Sequence, residues 1–244
     1  MTVAVRFDAV SKAYPSQMVL REFSLDVHQG EFFGLVGVNG AGKTTAMKCL
    51  LDFVRPAHGT ISVFGLSSLE TRARARVAYL PERFLPPYHL TGSAFLGYIG
   101  RLYGVALSSQ RIEQACAAVD LDVAALNRTA RTYSKGMAQK LGLVGCFLSD
   151  RDLLVLDEPM SGLDPKARVL VKRKLHELKR NGTTVVFSTH MLFDVEELCD
   201  RMGVLDEGWL KFVGAPGECK ERFAAATLEE AYLACIERGA PKGA

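Results

Sequence analysis

GVNGAGKTT, at residues 37–45, is the stretch that decides the fold of this chain. It fits the pattern G-x-x-x-x-G-K-[ST], in which a glycine-rich turn wraps backbone N–H groups around a chain of phosphates. The apolar run at residues 32–36 predicts a buried parallel strand before it, and residues 45–53 predict a helix after it whose positive end faces the loop. Strand, loop and helix in this order predict a phosphate loop within an α/β fold.

Each position of this phosphate loop (residues 37–45) has a predicted task. Its glycines permit left-handed or crowded backbone that a side chain would block. Lys43 is predicted to bring a positive charge to the β- and γ-phosphates, and the hydroxyl of Thr44 to bind Mg²⁺. The predicted nucleotide-binding residues of the loop are Gly37, Asn39, Gly40, Ala41, Gly42, Lys43, Thr44 and Thr45.

The composition excludes several classes of protein. The chain has 244 residues, of which 48% are hydrophobic, which is enough for one compact domain with an inserted lobe. Its net charge of +3 is too small for a nucleic-acid binder, so no nucleic-acid partner is expected. No run reaches the ~18 apolar residues of a membrane span, and the amino terminus does not resemble a signal peptide. A cytosolic protein is expected, unless a partner holds it elsewhere.

The cysteines of the chain are predicted to be free thiols. They show no C-x-x-C pair and no nearby histidine at the spacing of a metal site. Burial in a reduced cytosol is the expected state of all six: Cys49, Cys116, Cys146, Cys199, Cys219 and Cys235.

Apolar alternation and helical periodicity predict the domain organisation. The first thirty residues predict two antiparallel edge strands, and later apolar runs predict strands at residues 61–64, 153–156, 184–187, 202–205 and 210–213. A further short apolar run lies at residues 77–80. Residues 84–150 predict an inserted helical subdomain, with helices at residues 93–103, 108–119 and 135–148. Residues 1–215 are thus expected to form one α/β domain, and residues 216–244 a C-terminal helical tail.

Residues 153–159, LLVLDEP, predict a buried strand that ends in two adjacent carboxylates. Nucleotide-hydrolysing proteins with a phosphate loop use such a strand end to bring an aspartate near Mg²⁺, which makes Asp157 the metal ligand. Glu158, the next residue, is free to accept a proton from the water that attacks the γ-phosphate. General-base placement of this kind adds on the order of 10²–10⁴ in rate.

With these motifs, the chain resembles the nucleotide-binding subunit of an ATP-binding cassette (ABC) transporter over nearly everything up to about Val213. The resemblance implies a P-loop NTPase core, with a mostly parallel sheet, antiparallel edge strands and an inserted helical subdomain. It also implies that ATP and Mg²⁺ are the cofactors. By the same resemblance, Asp164 crosses a dimer interface, His190 contacts the γ-phosphate and Tyr14 stacks on adenine.

The signature segment (residues 133–137, YSKGM) predicts a second anion site. Ser134 is a good helix N-cap and Gly136 permits close approach, so phosphate can approach this helix end. One loop already encloses the nucleotide, which suggests that this second site serves a partner's nucleotide. The resemblance implies a head-to-tail dimer with two ATP at the interface.

Two positions depart from the commonest pattern of the family. Lys135 and Met137 replace its glycine and glutamine, although Ser134 and Gly136 remain. Glu82 replaces a glutamine that senses Mg²⁺, and it is a further candidate metal ligand because carboxylates bind this ion. Whether Glu82 coordinates the ion directly stays open at the level of sequence, as does the effect on the hydrolysis rate.

These features together predict an ATPase subunit that powers transport, and export in particular, through a separate integral membrane permease at the cytoplasmic face of the cell membrane. Residues 84–88 and the helix after them are the expected docking surface. The alternatives are a soluble cassette ATPase acting on nucleic acid or ribosomes, a P-loop kinase, and a regulatory cassette that binds ATP without turnover. The transported substrate, and the choice between homodimer and heterodimer, are not encoded in these motifs.

Overall fold

Strands and helices alternate along most of the chain, and the computed structural model describes residues 2–15 and 17–237. The strands are β1 (Val3–Tyr14), β2 (Gln17–His28), β3 (Phe32–Val36), β4 (His58–Val63), β5 (Leu66–Ser67), β6 (Val77–Leu80), β7 (Leu153–Asp157), β8 (Thr184–Thr189), β9 (Arg201–Asp206) and β10 (Trp209–Gly214). The α-helices are α1 (Lys43–Leu50), α2 (Thr71–Arg74), α3 (Gly92–Tyr103), α4 (Ser109–Ala117), α5 (Lys135–Phe147), α6 (Pro165–Arg180), α7 (Leu192–Leu198), α8 (Pro216–Phe223) and α9 (Leu228–Glu237).

A six-stranded sheet with the order β10-β9-β3-β8-β7-β6 forms the centre of the molecule. All neighbours in it are parallel except β10 and β9, which are antiparallel at one edge. Strands β3, β7 and β8 are buried along their whole length because both faces of the sheet are covered. Their carboxyl ends meet at one edge, which is where an α/β sheet binds its ligands.

The first two strands belong to a second sheet rather than to the edge of the parallel one. This sheet is antiparallel and has the order β2-β1-β4-β5. Alternate residues of its strands, among them Phe7 and Phe23, are buried in one cluster with Met47 and Leu50 of α1. The alternation was therefore a correct signal for half-buried strands, but their partners depend on contacts distant in sequence. The α/β class itself is as the sequence predicts.

Helices α3, α4 and α5 lie between β6 and β7 along the chain. Each begins at a hydroxyl N-cap, since Thr91, Ser108 and Ser134 accept a hydrogen bond from the backbone N–H three residues later. Buried residues of α5, including Leu141 and Val144, pack in one core cluster with strand residues such as Leu156. The helices are thus joined to the central sheet by a continuous apolar core.

Two helices form the described part of the predicted tail, and residues 238–244 lie outside the described residues. Helix α8 ends where Ala224 adopts a left-handed backbone (φ 51°). Helix α9 begins at a capping box, in which Thr227 Oγ1 accepts from the Glu230 N–H at 3.2 Å and Glu230 accepts from the Thr227 N–H at 3.3 Å. Among the described residues, no helix is long and apolar enough to cross a membrane.

Candidate active site

The phosphate loop lies between the end of β3 and the start of α1, and crowding explains its glycines. A Cβ on Gly37 would lie 2.3 Å from the carbonyl oxygen of Leu205 in β9. Gly42 has a left-handed φ of 115°, and a Cβ there would lie 2.7 Å from the carbonyl oxygen of Val19 in β2. A residue larger than glycine would clash at either position. The backbone of the loop therefore lies directly against β9 at Gly37 and against β2 at Gly42.

The side chain of Lys43 is buried within the phosphate loop. Its Nζ donates to the carbonyl oxygens of Gly37 at 2.6 Å and Val38 at 3.2 Å, and it lies 3.7 Å from Glu158 Oε1. Burial lowers the pKa of Lys43, whereas the charges of Glu158 and Asp157 oppose that effect. The ammonium group is therefore held at the centre of the loop, among oxygens that an anionic ligand would replace.

Asp157 ends β7 and is fully buried. The Ser188 hydroxyl donates to its Oδ1, whereas its Oδ2 is buried without a hydrogen-bond partner. An unsatisfied buried carboxylate oxygen calls for an explanation, and a cation is one that fits its chemistry. Asp157 thus has one oxygen fixed by the protein and one left for a ligand.

A cavity of about 510 Å³ joins the phosphate loop to this acidic edge. Its oxygen donors, from Thr44, Glu82 and Asp157, are of the kind that Mg²⁺ prefers. Within the described residues, no group of three or more histidines, cysteines, aspartates and glutamates is positioned to hold a metal ion unaided. The cavity is lined by Gln17, Val19, Val38, Asn39, Gly40, Gly42, Lys43, Thr44, Thr45, Glu82, Asp157 and Glu158.

Glu158 and His190 form a hydrogen-bonded pair beside this cavity. The Nδ1 of His190 lies 3.0 Å from both carboxylate oxygens of Glu158, and the Glu158 N–H donates to Ser188 Oγ at 3.0 Å. Glu158 has a left-handed backbone (φ 47°), which costs a non-glycine residue about 1–3 kcal/mol and is typical of functional sites. A carboxylate that is nearly buried and oriented by an imidazole has the geometry of a general base.

The signature segment does not line this cavity. Ser134 Oγ accepts from the Met137 N–H at 3.2 Å, and a Cβ on Gly136 would lie 3.0 Å from the carbonyl oxygen of Gly162. Within one chain, the structure therefore brings Lys43, Thr44, Glu82, Asp157, Glu158 and His190 together but leaves Ser134 and Gly136 outside the group.

Two further predicted residues also lie outside the cavity lining. Asp164 is the N-cap of α6, where its carboxylate accepts from the Ala167 N–H at 2.9 Å and from Lys140 Nζ at 3.0 Å. These two contacts, first the Ala167 N–H, hold the pKa of Asp164 below its usual value. Tyr14 is exposed at the end of β1, with Lys12 Nζ 5.2 Å from the centre of its ring.

Sequence reasoning missed Ser188, whose hydroxyl contacts both Asp157 and the Glu158 backbone. The available signal was a small hydroxyl residue near the end of a buried strand, two residues before His190. It also missed an ion-pair network, in which buried Asp194 of α7 contacts Arg168 and Lys172 of α6, each at 2.8 Å. No local pattern reveals that network, because it joins two helices that are separated along the chain by β8.

Comparison with protein-family models and with curated proteins indicates the same family as the sequence motifs do. The family model described as ABC transporter matches residues 20–161. An uncharacterised ABC transporter ATP-binding protein of Synechocystis sp. is 41% identical over 202 residues, covering 82% of this chain and 57% of that protein. A similar relative from Nostoc sp. is covered over 60% of its length. The chain thus spans less than two thirds of these two relatives.

A longer match comes from exporter proteins. The Nod factor export ATP-binding protein I of Burkholderia orbicola is 37% identical over 239 residues, covering 95% of this chain and 78% of that protein.

Solved structures are similar over most of the chain. The ATP binding subunit of an ABC transporter has a TM-score of 0.84 at 30% identity, with 96% of this chain and 99% of that chain covered. A dimeric ATP-binding cassette bound to ADP and phosphate has a TM-score of 0.79 at 20% identity and supports the fold alone. The predicted P-loop NTPase fold and family are confirmed, and the chain belongs to the ATP-binding cassette transporter family as an ATPase domain.

Proposed function

We propose that this chain is the ATP-hydrolysing subunit of an exporter, in which closure of a dimer around ATP drives a separately encoded membrane permease. The observation that carries the proposal is the division of the site. Lys43, Asp157 and Glu158 meet at one cavity, whereas Ser134 and Gly136 lie elsewhere on the same chain. The relatives named for Nod factor export support the direction of transport. In this proposal, residues 1–215 are the ATPase domain, 84–150 its helical subdomain and 216–244 a tail.

Nucleotide binding uses the loop and the first sheet. In this structure Lys43 Nζ donates hydrogen bonds to the carbonyl oxygens of Gly37 and Val38. When nucleotide binds, the β- and γ-phosphates replace these oxygens as its partners. Backbone N–H groups of the loop, together with the amino-terminal end of α1, cradle the phosphates. The exposed ring of Tyr14 stacks on adenine.

Thr44, Asp157 and Glu82 would hold Mg²⁺ together with phosphate oxygens. When bound, the ion supplies neutralisation of the charge that develops on the transferred phosphoryl group. Asp157 fits this role because its free Oδ2 is buried and unsatisfied, while Ser188 fixes its Oδ1. Glu82 adds a further carboxylate to the same cavity. Its negative charge favours binding of the nucleotide together with a divalent cation over binding of the nucleotide alone.

Hydrolysis relies on Glu158 as general base. Its carboxylate takes the proton of the attacking water, and the nearby Lys43 stabilises negative charge on the γ-phosphate. His190 orients Glu158 through its Nδ1 and contacts the γ-phosphate with its exposed ring. The left-handed backbone of Glu158 fixes the direction in which the carboxylate points.

The second half of each site comes from the partner subunit in this proposal. The amino-terminal end of α5 presents its free backbone N–H groups to the γ-phosphate bound by the partner. Ser134 caps this end, and Gly136 has no side chain that would keep the phosphate away. Asp164 lies at the same interface, where Lys140 anchors it. A homodimer and a heterodimer with a similar chain satisfy this geometry equally.

The docking segment (residues 84–88) is the proposed contact with the permease, at the cytoplasmic face of the membrane. Leu85 and Tyr88 are 83% and 72% exposed, the highest values among the large hydrophobic side chains of the described residues. Phe84 anchors the segment, since its ring lies 5.6 Å from that of Phe95 in α3. Movement of the helical subdomain would therefore carry this surface with it.

Purification of the native chain from solubilised membranes, followed by mass spectrometry, tests the proposal. We expect an integral membrane protein to copurify, and we expect loss of that protein when Leu85→Ser and Tyr88→Ser are combined. Leu69→Ser is the matched control, because Leu69 is also exposed (55%) but lies outside the segment. Recovery with ribosomes or nucleic acid alone would contradict the proposal, and so would ATP binding without turnover.

A further inference from the structure

A smaller cavity, of about 170 Å³, shares Glu158 with the phosphate-loop cavity. His190, which contacts Glu158, also lines it. So do Arg168 of α6 and Asp194 of α7, two charged residues that the proposed hydrolysis does not use. The Glu158–His190 pair is therefore next to an ion pair that joins two helices.

Asp194 is a buried carboxylate whose charge is balanced from α6. The Arg168 guanidinium donates to its Oδ2 at 2.8 Å. Lys172 Nζ lies 2.8 Å from its Oδ1, at an angle outside hydrogen-bonding geometry. Because a buried charge is tolerated when it is paired, these cations fasten the first two turns of α6 to α7. Arg168 fixes the direction of the carboxylate, whereas Lys172 balances its charge.

Asp194 is joined to His190 by a short, hydrogen-bonded turn. The Met191 N–H donates to Thr189 Oγ1 at 3.0 Å. The Asp194 N–H donates to the Met191 carbonyl oxygen at 3.2 Å. These bonds restrict the three residues between the imidazole and the carboxylate, so a displacement of Asp194 would also displace His190.

The other end of the ion pair leads back to Glu158. Arg168 lies in the first turn of α6, whose N-cap is Asp164. The Ser161 N–H donates to the Glu158 carbonyl oxygen at 3.0 Å and forms a turn before that cap. The backbone from Glu158 to α6, the ion pair to α7 and the contact of His190 with Glu158 thus form a closed ring.

We propose that Arg168 and Asp194 are positioning residues, whose ion pair holds His190 against Glu158. The inference rests on the proposed function, because it assumes that the Glu158–His190 pair acts on ATP. Neither positioning residue lines the nucleotide cavity, so loss of the ion pair should misplace the reacting groups without weakening ATP binding. Asp164 is proposed to face the partner subunit, so a displacement of α6 at dimer closure would reach His190 through the same ion pair.

The first test compares Arg168→Met with Lys174→Met. Each substitution removes one cation of α6, but Lys174 pairs with Glu177 of the same helix. Lys172 still balances Asp194 in Arg168→Met, so the fold should persist. We expect kcat for ATP hydrolysis to fall by about 10- to 100-fold, with the KM for ATP within about two-fold of the wild type, because a slight misplacement of reacting groups costs this much. Lys174→Met should match the wild type in both parameters.

The second test repeats Arg168→Met in a His190→Ala chain and measures single-turnover phosphate release. Because the ion pair acts through His190, Arg168→Met should lower the remaining rate by less than about two-fold, whereas independent effects would multiply. A merely structural role would lower the rate equally in both backgrounds. Arg168→Lys, which keeps a cation, should recover part of kcat in the chain that retains His190.

The outcomes separate this inference from the proposed function. If the wild type hydrolyses ATP while Arg168→Met has a normal kcat, the inference is overturned and the proposed function stands. The same conclusion follows if Arg168→Met causes its full loss of rate in the His190→Ala chain. A wild type that binds ATP without turnover overturns both.

Discussion

The phosphate-loop cavity and the start of α5 are the two proposed phosphate sites, and they differ in how many of the required groups one chain supplies. The cavity combines the buried ammonium group of Lys43, the unsatisfied Oδ2 of Asp157 and the Glu158–His190 pair within one chain. The start of α5 has a capped helix end and a glycine, but it lies outside that cavity. In the proposed function, one region is a nearly complete reaction centre, and the other is half of a site whose ligand is held by a partner subunit.

The largest expected effect tests the finished half. Glu158→Gln keeps the shape of the side chain but removes the base, so ATP hydrolysis should fall by about 10²–10⁴ while ATP binding persists. Glu207→Gln is a matched control, because Glu207 is exposed and has the same left-handed backbone (φ 46°). Single-turnover phosphate release measures the effect. Equal rates for Glu158→Gln and wild type would remove Glu158 from the mechanism.

The next effect tests the unfinished half. Gly136→Asp adds a side chain and a negative charge where a partner's phosphate would lie, so turnover should fall by about 10²–10³ although each monomer still binds ATP. Lys43→Ala should instead weaken binding in the monomer. A mixture of the two variants should regain part of the activity, since one mixed site then has both halves intact. A mixture no more active than its components would refute the shared site.

A smaller effect distinguishes support from direct participation. Ser188→Ala removes the hydroxyl that contacts Asp157 and Glu158, and loss of such a support costs about 10- to 100-fold in metal affinity or activity. Ser149→Ala is the matched control, because Ser149 is equally buried and bonds to the carbonyl oxygen of Cys146. Titration with Mn²⁺ in the presence of ATP reports metal affinity. A Ser188→Ala protein with normal affinity and turnover would assign this serine to folding alone.

The smallest expected effect concerns Asp164, the N-cap of α6. The pKa of Asp164 is lower in the folded state than the ordinary aspartate value of about 3.9. The ionised carboxylate therefore stabilises the fold fully at pH values above about 3.9. This stabilisation is lost as the pH falls through the lower pKa of the folded state. The Tm difference between the wild type and Asp164→Asn should therefore be constant from neutral pH to about pH 5, and should shrink in more acidic solution. A difference that persists unchanged to pH 3 would exclude the ionised carboxylate as its source.

Local sequence was sufficient for the parts of the fold with strong periodicity. The predicted strand at residues 32–36 agrees with β3 to the residue, the strand predicted at residues 153–156 is one residue shorter than β7, and α8 and α9 lie within the predicted helical tail. The phosphate loop and the acidic strand end were visible because backbone chemistry demands particular residues there. Short elements were missed, notably α2 and α7, because four to seven residues carry too little periodicity to identify a helix.

Contacts between distant segments were beyond sequence reasoning. Nothing local indicates that β1 pairs with β4 in a separate sheet, or that α9 packs against α7 and β9. The left-handed backbone of Glu158 also has no signature in its residue type, since glutamate rarely adopts it. Most residues that line the candidate site were thus predicted from the sequence, whereas the contacts that position them were not.

The free cysteines have a practical consequence for experiments on the dimer. Burial raises the pKa of each thiol, to about 11 for Cys49 and Cys116 and about 12 for Cys146, so almost no thiolate exists at neutral pH. A maleimide dye should therefore leave the native protein almost unlabelled and react selectively with an introduced thiol, such as Lys135→Cys on the exposed signature segment. Fluorescence transfer between two such dyes would follow subunit closure without a cysteine-free background.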